Sequence, residues 1–495
     1  MLRYGARALE EANISALEAV RYRELMLSLC EEKDRGAARK QARARRLCED
    51  EDLECLQRVA TCLAEGGYGA QAGVLAATAR AFRADTQLWE AQAHHRGPKG
   101  RTALMYAAKR GDGLRALFLL ECGADVQAVG AEGTALLLAC AEGRFDTAFL
   151  LVDRGGANVN AARTADGMTA LLWACASGNL EFARLLVERG GANVNATRTT
   201  DGATALLLAC AHVNPEAARF LVERGGVSVN PARTTDGMTA LLFACKNGNL
   251  ELVRLLVELG GANVRATVTN DGRTALMFAI EGGHVEIVRF LVERGGANAN
   301  AALTTDGKTA LMSACQKSSL EIVRLLVERG GANVNAAKTT DGVTALMRAC
   351  GKGRVDFVRL LVERGGANVS AACTSDGMTA LMWAAKMGHL EIVRFLVLRG
   401  ANVNTAMNCG MSPLMWACQE GHTEVAGSLL RHGANVNAAR ALCGRTPLMF
   451  ASRGGFAATV RLLLLAGALM QLVNHAGHTA RQFAASHPLA LAEFP

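Results

Sequence analysis

Residues 306–337 read Asp306-Gly-Lys-Thr-Ala-Leu-Met-Ser-Ala-Cys-Gln-Lys-Ser-Ser-Leu-Glu-Ile-Val-Arg-Leu-Leu-Val-Glu-Arg-Gly-Gly-Ala-Asn-Val-Asn-Ala-Ala337. Asp306-Gly307 is a turn signal. Thr309 opens a short helix, because Leu311, Ala314 and Cys315 fall at i, i+3 and i+4 and share one face. Gln316 to Ser319 is a polar break. A second helix follows, with Ile322, Val323, Leu325 and Leu326 inward and Glu321, Arg324 and Glu328 outward. Gly330-Gly331 stops it, since glycine accepts the left-handed conformation a helix end needs. Ala332-Asn333-Val334-Asn335 is a short extended piece leading to the next Asp-Gly turn.

The same sentence recurs along the chain. Thr102, Thr134, Thr169, Thr204, Thr239, Thr274, Thr309, Thr344 and Thr379 each begin Thr-Ala-Leu, at a spacing of 32 and then seven times 35 residues. Ser412, Thr446 and Thr479 continue the series at 33, 34 and 33. Eleven full units are therefore expected over residues 98–477, with a capping half unit and a loosely held tail over 478–495. One unit alone cannot bury its apolar face; stacked neighbours can. Asn214-Pro215 fits the start of a second helix, as N-cap and first helical residue.

The phrase Asp-Gly-x-Thr-Ala-Leu-x-x-Ala-Cys, followed by Leu-Glu-Ile-Val-Arg-Leu-Leu-Val-Glu-Arg-Gly-Gly-Ala-Asn-Val-Asn-Ala, resembles the ankyrin repeat over roughly residues 100–485. The resemblance implies an all-α helix–turn–helix solenoid with projecting β-hairpin-like turns. It also implies that the first helices line a concave face and that the chain binds protein partners without catalysis. The sequence departs from that family in three ways. The family's Thr-Pro-Leu-His is mostly Thr-Ala-Leu-Leu or Thr-Ala-Leu-Met, with Pro kept at Pro413 and Pro447. Its His is replaced by Leu or Met in every full unit, so packing must supply what the histidine's hydrogen bonds would. Units of 35 carry two extra residues, one in the doubled glycine (Gly190-Gly191) and one before Asp-Gly (Arg198-Thr199-Thr200-Asp201), which predicts longer projecting turns.

Residues 1–97 are not repeats and read as a helical segment. Its basic run Arg35 to Arg46 and acidic run Glu49 to Glu54 read either as a solvated, zwitterionic helix or linker or, at Arg39 to Arg46, as a nuclear-import signal. Cys48, Cys55 and Cys62 are spaced by seven, which places them along one side of a helix rather than in the close pairs a zinc site needs. Residues 53–90, ending in Leu88-Trp89, bear a weak resemblance to an F-box without its early Leu-Pro. That resemblance implies a ubiquitin-ligase substrate adaptor with a Skp1-type partner; the alternative is a helical cap on the first repeat.

Composition narrows the class. Half of the 495 residues are hydrophobic, 20% are charged and only 7 are proline, which excludes a disordered or Pro-rich chain. No apolar run reaches the roughly 18 residues of a membrane span, and Met1 to Ser15 lacks the apolar core of a secretory signal. Net charge is +8. Residues 1–97 hold 15 basic and 15 acidic side chains, so the excess spreads thinly over the repeats and a nucleic-acid partner is not expected. Seven of 15 cysteines (Cys140, Cys175, Cys210, Cys245, Cys315, Cys350 and Cys418) recur at one place that elsewhere holds Ala108, Ala385, Ser452 or Ile280. They read as small buried thiols in a reducing compartment, so a cytoplasmic or nuclear monomer is the expectation.

No Gly-rich phosphate loop, nucleophile elbow or metal motif occurs, and neither cofactor nor metal is expected. Residues repeated in register serve folding first, so function belongs where the units differ. One such column follows the Leu or Met of each first helix: Tyr106, Leu138, Trp173, Leu208, Phe243, Phe278, Ser313, Arg348, Trp383, Trp416 and Phe450. Seven of eleven are aromatic in a chain with 23 aromatics. They form either a stacked structural ladder or an apolar stripe anchoring a partner, with Trp383 and Trp416 the leading pair. A second set is basic. Lys246, Lys317, Lys352 and Lys386 end first helices. Arg163, Arg198, Arg233 and Lys338 share one turn column, and Arg273, Lys308 and Arg445 another. They are either solubilising charge or a cationic surface for an acidic protein segment. On the second helices, Glu and Arg three residues apart are expected to form exposed pairs on an inert face.

Overall fold

The computed structural model describes residues 96–97, 100–224, 226–317 and 319–494. The expectations for the helical segment before residue 96, including Arg39 to Arg46, the three spaced cysteines and the F-box-like stretch 53–90, lie outside the described residues. The chain divides into two compact units, Met1–Pro231 and Ala232–Pro495.

In the first unit four helix pairs follow one another: α1 (Ala103–Arg110) with α2 (Gly113–Glu121), α3 (Ala135–Ala141) with α4 (Phe145–Asp153), α5 (Ala170–Ser177) with α6 (Leu180–Glu188), and α7 (Ala205–Ala211) with α8 (Pro215–Arg224). Helices α1, α3, α5 and α7 pack side by side in one row, and α2, α4, α6 and α8 in another.

The second unit repeats the plan. Its pairs are α9 (Ala240–Asn247) with α10 (Leu250–Arg254), α11 (Ala275–Gly282) with α12 (Val285–Glu293), α13 (Ala310–Lys317) with α14 (Leu320–Glu328), and α15 (Ala345–Gly351) with α16 (Val355–Arg359). Then come α17 (Ala380–Lys386) with α18 (Leu390–Leu398), α19 (Pro413–Gln419) with α20 (Thr423–Arg431), α21 (Pro447–Arg453) with α22 (Ala457–Leu465), and α23 (Ala480–Ala484) with α24 (Pro488–Leu491). Within each unit the architecture is the expected helix–turn–helix solenoid.

First helices are short because a side-chain cap opens them and, at several, a left-handed glycine closes them. Thr169 Oγ1 accepts from the N–H of Leu172, and Thr204, Thr239, Thr274 and Thr344 act in the same way at their helices. Between them Leu, Met, Ala and Cys fill the interior; Leu171, Leu172, Ala174 and Cys175 are all buried. Where the histidine of the family pattern is missing, packing is helped by sulfur. The N–H groups of Thr102, Thr344 and Thr379 each face a methionine Sδ (Met105, Met347, Met382) at 3.5 Å.

The two extra residues of the 35-residue units have visible places. At the end of α6, Gly190 N–H reaches back five residues to the Leu185 carbonyl (3.0 Å), and the same reach makes a π-helical turn of Leu255–Leu259 and of Leu360–Arg364. In the shorter unit ending Arg399-Gly400, the Gly400 N–H reaches only three residues back, to Val397. The second extra residue widens the projecting turn. Gly167 N–H bonds the Arg163 carbonyl four residues back, whereas Gly410 reaches three residues back to Met407. The turns are hairpin-like, but among the described residues their antiparallel pairing is confined to single bridges such as Ala162 with Thr169 and Ala302 with Thr309.

Two expectations are corrected. The tail is not loose up to residue 494: α24 completes a last helix pair, Ala490 and Phe494 are buried, and Arg461 forms a two-pronged pair with Glu493 (2.8 and 2.7 Å). Asn214 does precede α8, but its amide does not cap that helix. It donates instead to the carbonyls of Cys175 and Ala176, at the end of the previous repeat's first helix (2.9 and 3.1 Å). Histidines do this elsewhere: His422 Nε2 donates to the Lys386 carbonyl (3.1 Å) and His487 Nε2 to that of Arg453 (3.0 Å).

Candidate functional site

The variable column sits on first helices already flanked by neighbours on both sides, so a large residue there is partly covered by default. Phe243, Phe278 and Phe450 are buried, 5–8% exposed. Burial leaves little of these three rings to solvent. Trp173, Arg348, Trp383 and Trp416 are half-buried, and Tyr106 is exposed.

The two columns expected to be separate, aromatic and basic, are one structure. Arg163 grips the carboxylate of Asp166 with both arms of its guanidinium, one bond being 2.9 Å, and lies 5.5 Å from the centre of the Trp173 ring. Arg233 likewise pairs with Asp236 and covers Phe243 at 5.3 Å. Arg273 pairs with Asp271 (2.6 Å) and covers Phe278 at 5.5 Å, and Arg101 covers Tyr106 at 5.7 Å while pairing with Glu132. The local cause is the turn. Asp166 Oδ1 accepts from the Met168 N–H (3.1 Å), which fixes the carboxylate, and the widened turn aims the arginine from the tip back over the helix. The Arg163 guanidinium holds the Asp166 carboxyl below the usual carboxylate range, against burial. The charge of Arg163, Arg233 and Arg273 is thus spent inside the molecule. Arg198 is clamped by Asp201 in the same way, in a repeat whose column residue is Leu208.

At the two adjacent tryptophans the lid is a lysine. Lys386 Nζ lies 4.4 Å from the Trp416 ring centre and 5.9 Å from that of Trp383, and Trp416 Nε1 donates to Met407 Sδ (3.3 Å). Lys246, Lys317 and Lys352 are exposed at their helix ends. Lys308 is half-buried, and Lys338 bridges Asp306 (3.1 Å) and Asp341 (3.5 Å). Arg445 covers Phe483 of the last pair at 5.1 Å rather than its own repeat's Phe450.

The second-helix face differs from expectation in its pairing. Arg289 does meet Glu286 three residues away (3.6 Å), yet it also pairs with Glu321 of the next repeat, as Arg359 does with Glu391 (2.8 Å). A groove of about 470 Å³ between α12 and α14 is walled by Arg289, Glu293, Glu321, Arg324 and Glu328, charges of both signs.

A device missed in the sequence is an amide ladder. Asn160 donates to the Gly191 carbonyl (3.1 Å) and accepts from the Asn193 N–H (2.7 Å), so one side chain ties two repeats. Asn300, Asn335, Asn404 and Asn437 do the same. Recurrence of Asn-Val-Asn was the available signal. The cysteines of the repeat are buried, and burial pushes the Cys175 and Cys315 thiols up to about 12. Among the described residues no His, Cys, Asp or Glu cluster has the makings of a metal site, and no helix is long and apolar enough to cross a membrane.

A family model described as ankyrin repeats (3 copies) matches in overlapping windows from 75–163 to 400–474. Among solved structures, the chain is similar to the ankyrin repeat domain of Bcl-3, described as a unique member of the IkappaB protein family. Identity is 31%, covering 45% of this chain and 98% of that one, with a TM-score of 0.39. No curated protein sequence matches the chain.

Proposed function

Because the chain belongs to the ankyrin repeat family, whose repeats are protein–protein interaction modules, we propose that it is a non-enzymatic scaffold gripping a protein segment on the concave side lined by first helices. The observation that carries this reading is the pair Trp383 and Trp416. They are neighbouring half-buried indoles at the variable column, bridged by the Lys386 ammonium. Structural positions of the repeat are filled by Leu, Ala and Cys in register. Two successive tryptophans with part of each ring left to solvent are instead the residues that dominate binding interfaces.

The test is affinity capture by the full chain and by a Trp383→Phe, Trp416→Phe variant. Phenylalanine keeps a ring in the column, as Phe243 and Phe278 show, but removes the indole rim. Proteins retained by the wild type and lost from the variant, at unchanged helical circular dichroism, support the reading. Identical captured sets, confirmed by mass spectrometry, overturn it.

A further inference from the structure

In two successive repeats of the second unit the column carries no ring: Ser313 is small and buried, and Arg348 takes the aromatic position in the next. On either side the rings resume, with Phe278 before and Trp383 after. The turn cation of the Ser313 repeat is Lys308. In the preceding repeat the turn cation Arg273 has both a ring to cover, Phe278, and a carboxylate to grip, Asp271. Among the described residues, neither Lys308 nor Arg348 has an ion pair or a ring contact, and Arg348 Nε is buried without a hydrogen-bond partner. Lys338, the third cation, is already held by Asp306 and Asp341.

We propose that this ring-less step, framed by Lys308 and Arg348, is the point where the scaffold recognises carboxylate side chains of an acidic peptide segment. The proposal rests on the scaffold reading above and adds the chemistry of the partner. A guanidinium with no carboxylate of its own is under-satisfied where it stands, and an incoming Asp or Glu supplies the two acceptors its fork is built for. Burial, with Arg348 and Lys338 nearby, pulls the Lys308 ammonium below its ordinary value, and the nearby Glu281 and Asp306 only partly oppose this. An added carboxylate relieves that penalty. Lys317 and Lys352, exposed at the ends of α13 and α15, extend the same sign of charge along the two repeats. Nucleic acid is disfavoured: the cations are few and interleaved with Asp306, Asp341 and Glu281, whereas phosphate backbones are held by many contacts in a run.

The experiment uses the full chain and a fluorescein-labelled deca-glutamate peptide, followed by anisotropy, with deca-glutamine and a ten-nucleotide oligothymidylate as comparisons. Deca-glutamate is expected to bind, weakening as salt rises, while deca-glutamine does not. Lys308→Gln with Arg348→Gln is expected to weaken binding at least about tenfold. Arg348→Phe, which restores the ring found in neighbouring repeats and so folds as they do, should weaken it too. Arg324→Gln with Arg394→Gln, an equal loss of charge on the second helices, should leave it unchanged. Equal binding of the two peptides, equal loss in the charge control, no loss in either step variant, or tighter binding of the oligonucleotide overturns the proposal. If the step variants keep all peptide binding while the tryptophan variant still loses its captured proteins, the anion step fails and the scaffold reading stands.

Discussion

Lys386 Nζ sits 4.4 Å from the centre of the Trp416 ring, one repeat further along the chain. The same ammonium lies 5.9 Å from Trp383, one turn back on its own helix, so a single cation ties two repeats through their aromatic faces. Replacing it by methionine keeps most of the aliphatic stem and removes only the charge. Lys386→Met should cost about 0.5–1 kcal/mol, the usual worth of a half-exposed cation over an indole. Urea unfolding checks the size, and tryptophan emission should shift because the ring loses its polar neighbour. An unchanged midpoint and spectrum would mean the lysine is a bystander.

Arg163 makes a sharper case, because its planar fork meets the Asp166 carboxylate with two bonds while its face covers Trp173. Lysine keeps the charge and loses both geometries. Arg163→Lys should therefore destabilise by about 1 kcal/mol, reduced by partial exposure. The sign with pH follows from the low Asp166 value. A carboxyl held below its unfolded pKa of 3.8 contributes stability above that pH and loses it as pH falls through the folded value. The difference between wild type and Arg163→Lys should accordingly shrink on acidification below about pH 4. Chemical denaturation at pH 7 and pH 3 measures it.

The buried thiols give an alkaline counterpart. Cys175 and Cys315 are pushed to about 12 from an ordinary 9.0 by burial alone or chiefly by burial, and Cys140, Cys245, Cys350 and Cys418 are raised as well. A group whose folded pKa is raised adds stability that is whole below the unfolded value and drains away as pH climbs toward the folded one. Each such thiol should cost about 1.4 kcal/mol per pH unit above pH 9. Replacing Cys175 and Cys315 by Ala, which already stands at Ala108 and Ala385, should flatten the fall in stability between pH 9 and 11. The comparison is differential, so lysine and tyrosine titration cancels. Identical pH profiles for variant and wild type would show that these thiols do not titrate in the unfolded chain as supposed.

Periodicity made the helix pairs legible, because apolar residues at i, i+3 and i+4 recur with the same punctuation at Thr309, Thr344 and Thr379. Cys175 and its equivalents were legible for a related reason: a column that mostly accepts Cys, Ala or Ser is a tight core position. Lateral partnership was not legible. Nothing in the spacing shows that Arg163 folds back onto Trp173 or that Arg289 prefers Glu321 over its own Glu286, since both depend on the distance between stacked neighbours. Phe243 lies roughly 200° round the helix from Leu241. In a row of first helices that direction points at the next helix as much as at solvent. The tail was read as loose because Pro488 to Leu491 is too short to show a period; its hold comes from Glu493 and Phe494, which find partners only in three dimensions.

Two glycines with nearly the same backbone separate the reasons a repeat keeps glycine. Gly167 (φ +72°) sits in the widened turn, and a Cβ there would lie 2.8 Å from the backbone nitrogen of Thr199 in the next repeat. That contact falls beside the bond from the Thr199 N–H to the Asp166 carbonyl (2.8 Å), which ties adjacent turns. Gly191 (φ +65°) ends the second helix with nothing within 4 Å of the same added atom. Alanine at Gly191 should therefore cost only the left-handed conformation, about 1 kcal/mol, and asparagine less. Alanine at Gly167 pays the conformational term and also displaces backbone, so Gly167→Ala should lose clearly more, on the order of 2–3 kcal/mol. Urea midpoints of Gly167→Ala, Gly191→Ala and Gly191→Asn decide it. Equal losses for the two alanine variants would mean the turn-to-turn contact yields at no cost, and the ladder of tips would then contribute little to holding neighbouring repeats in register.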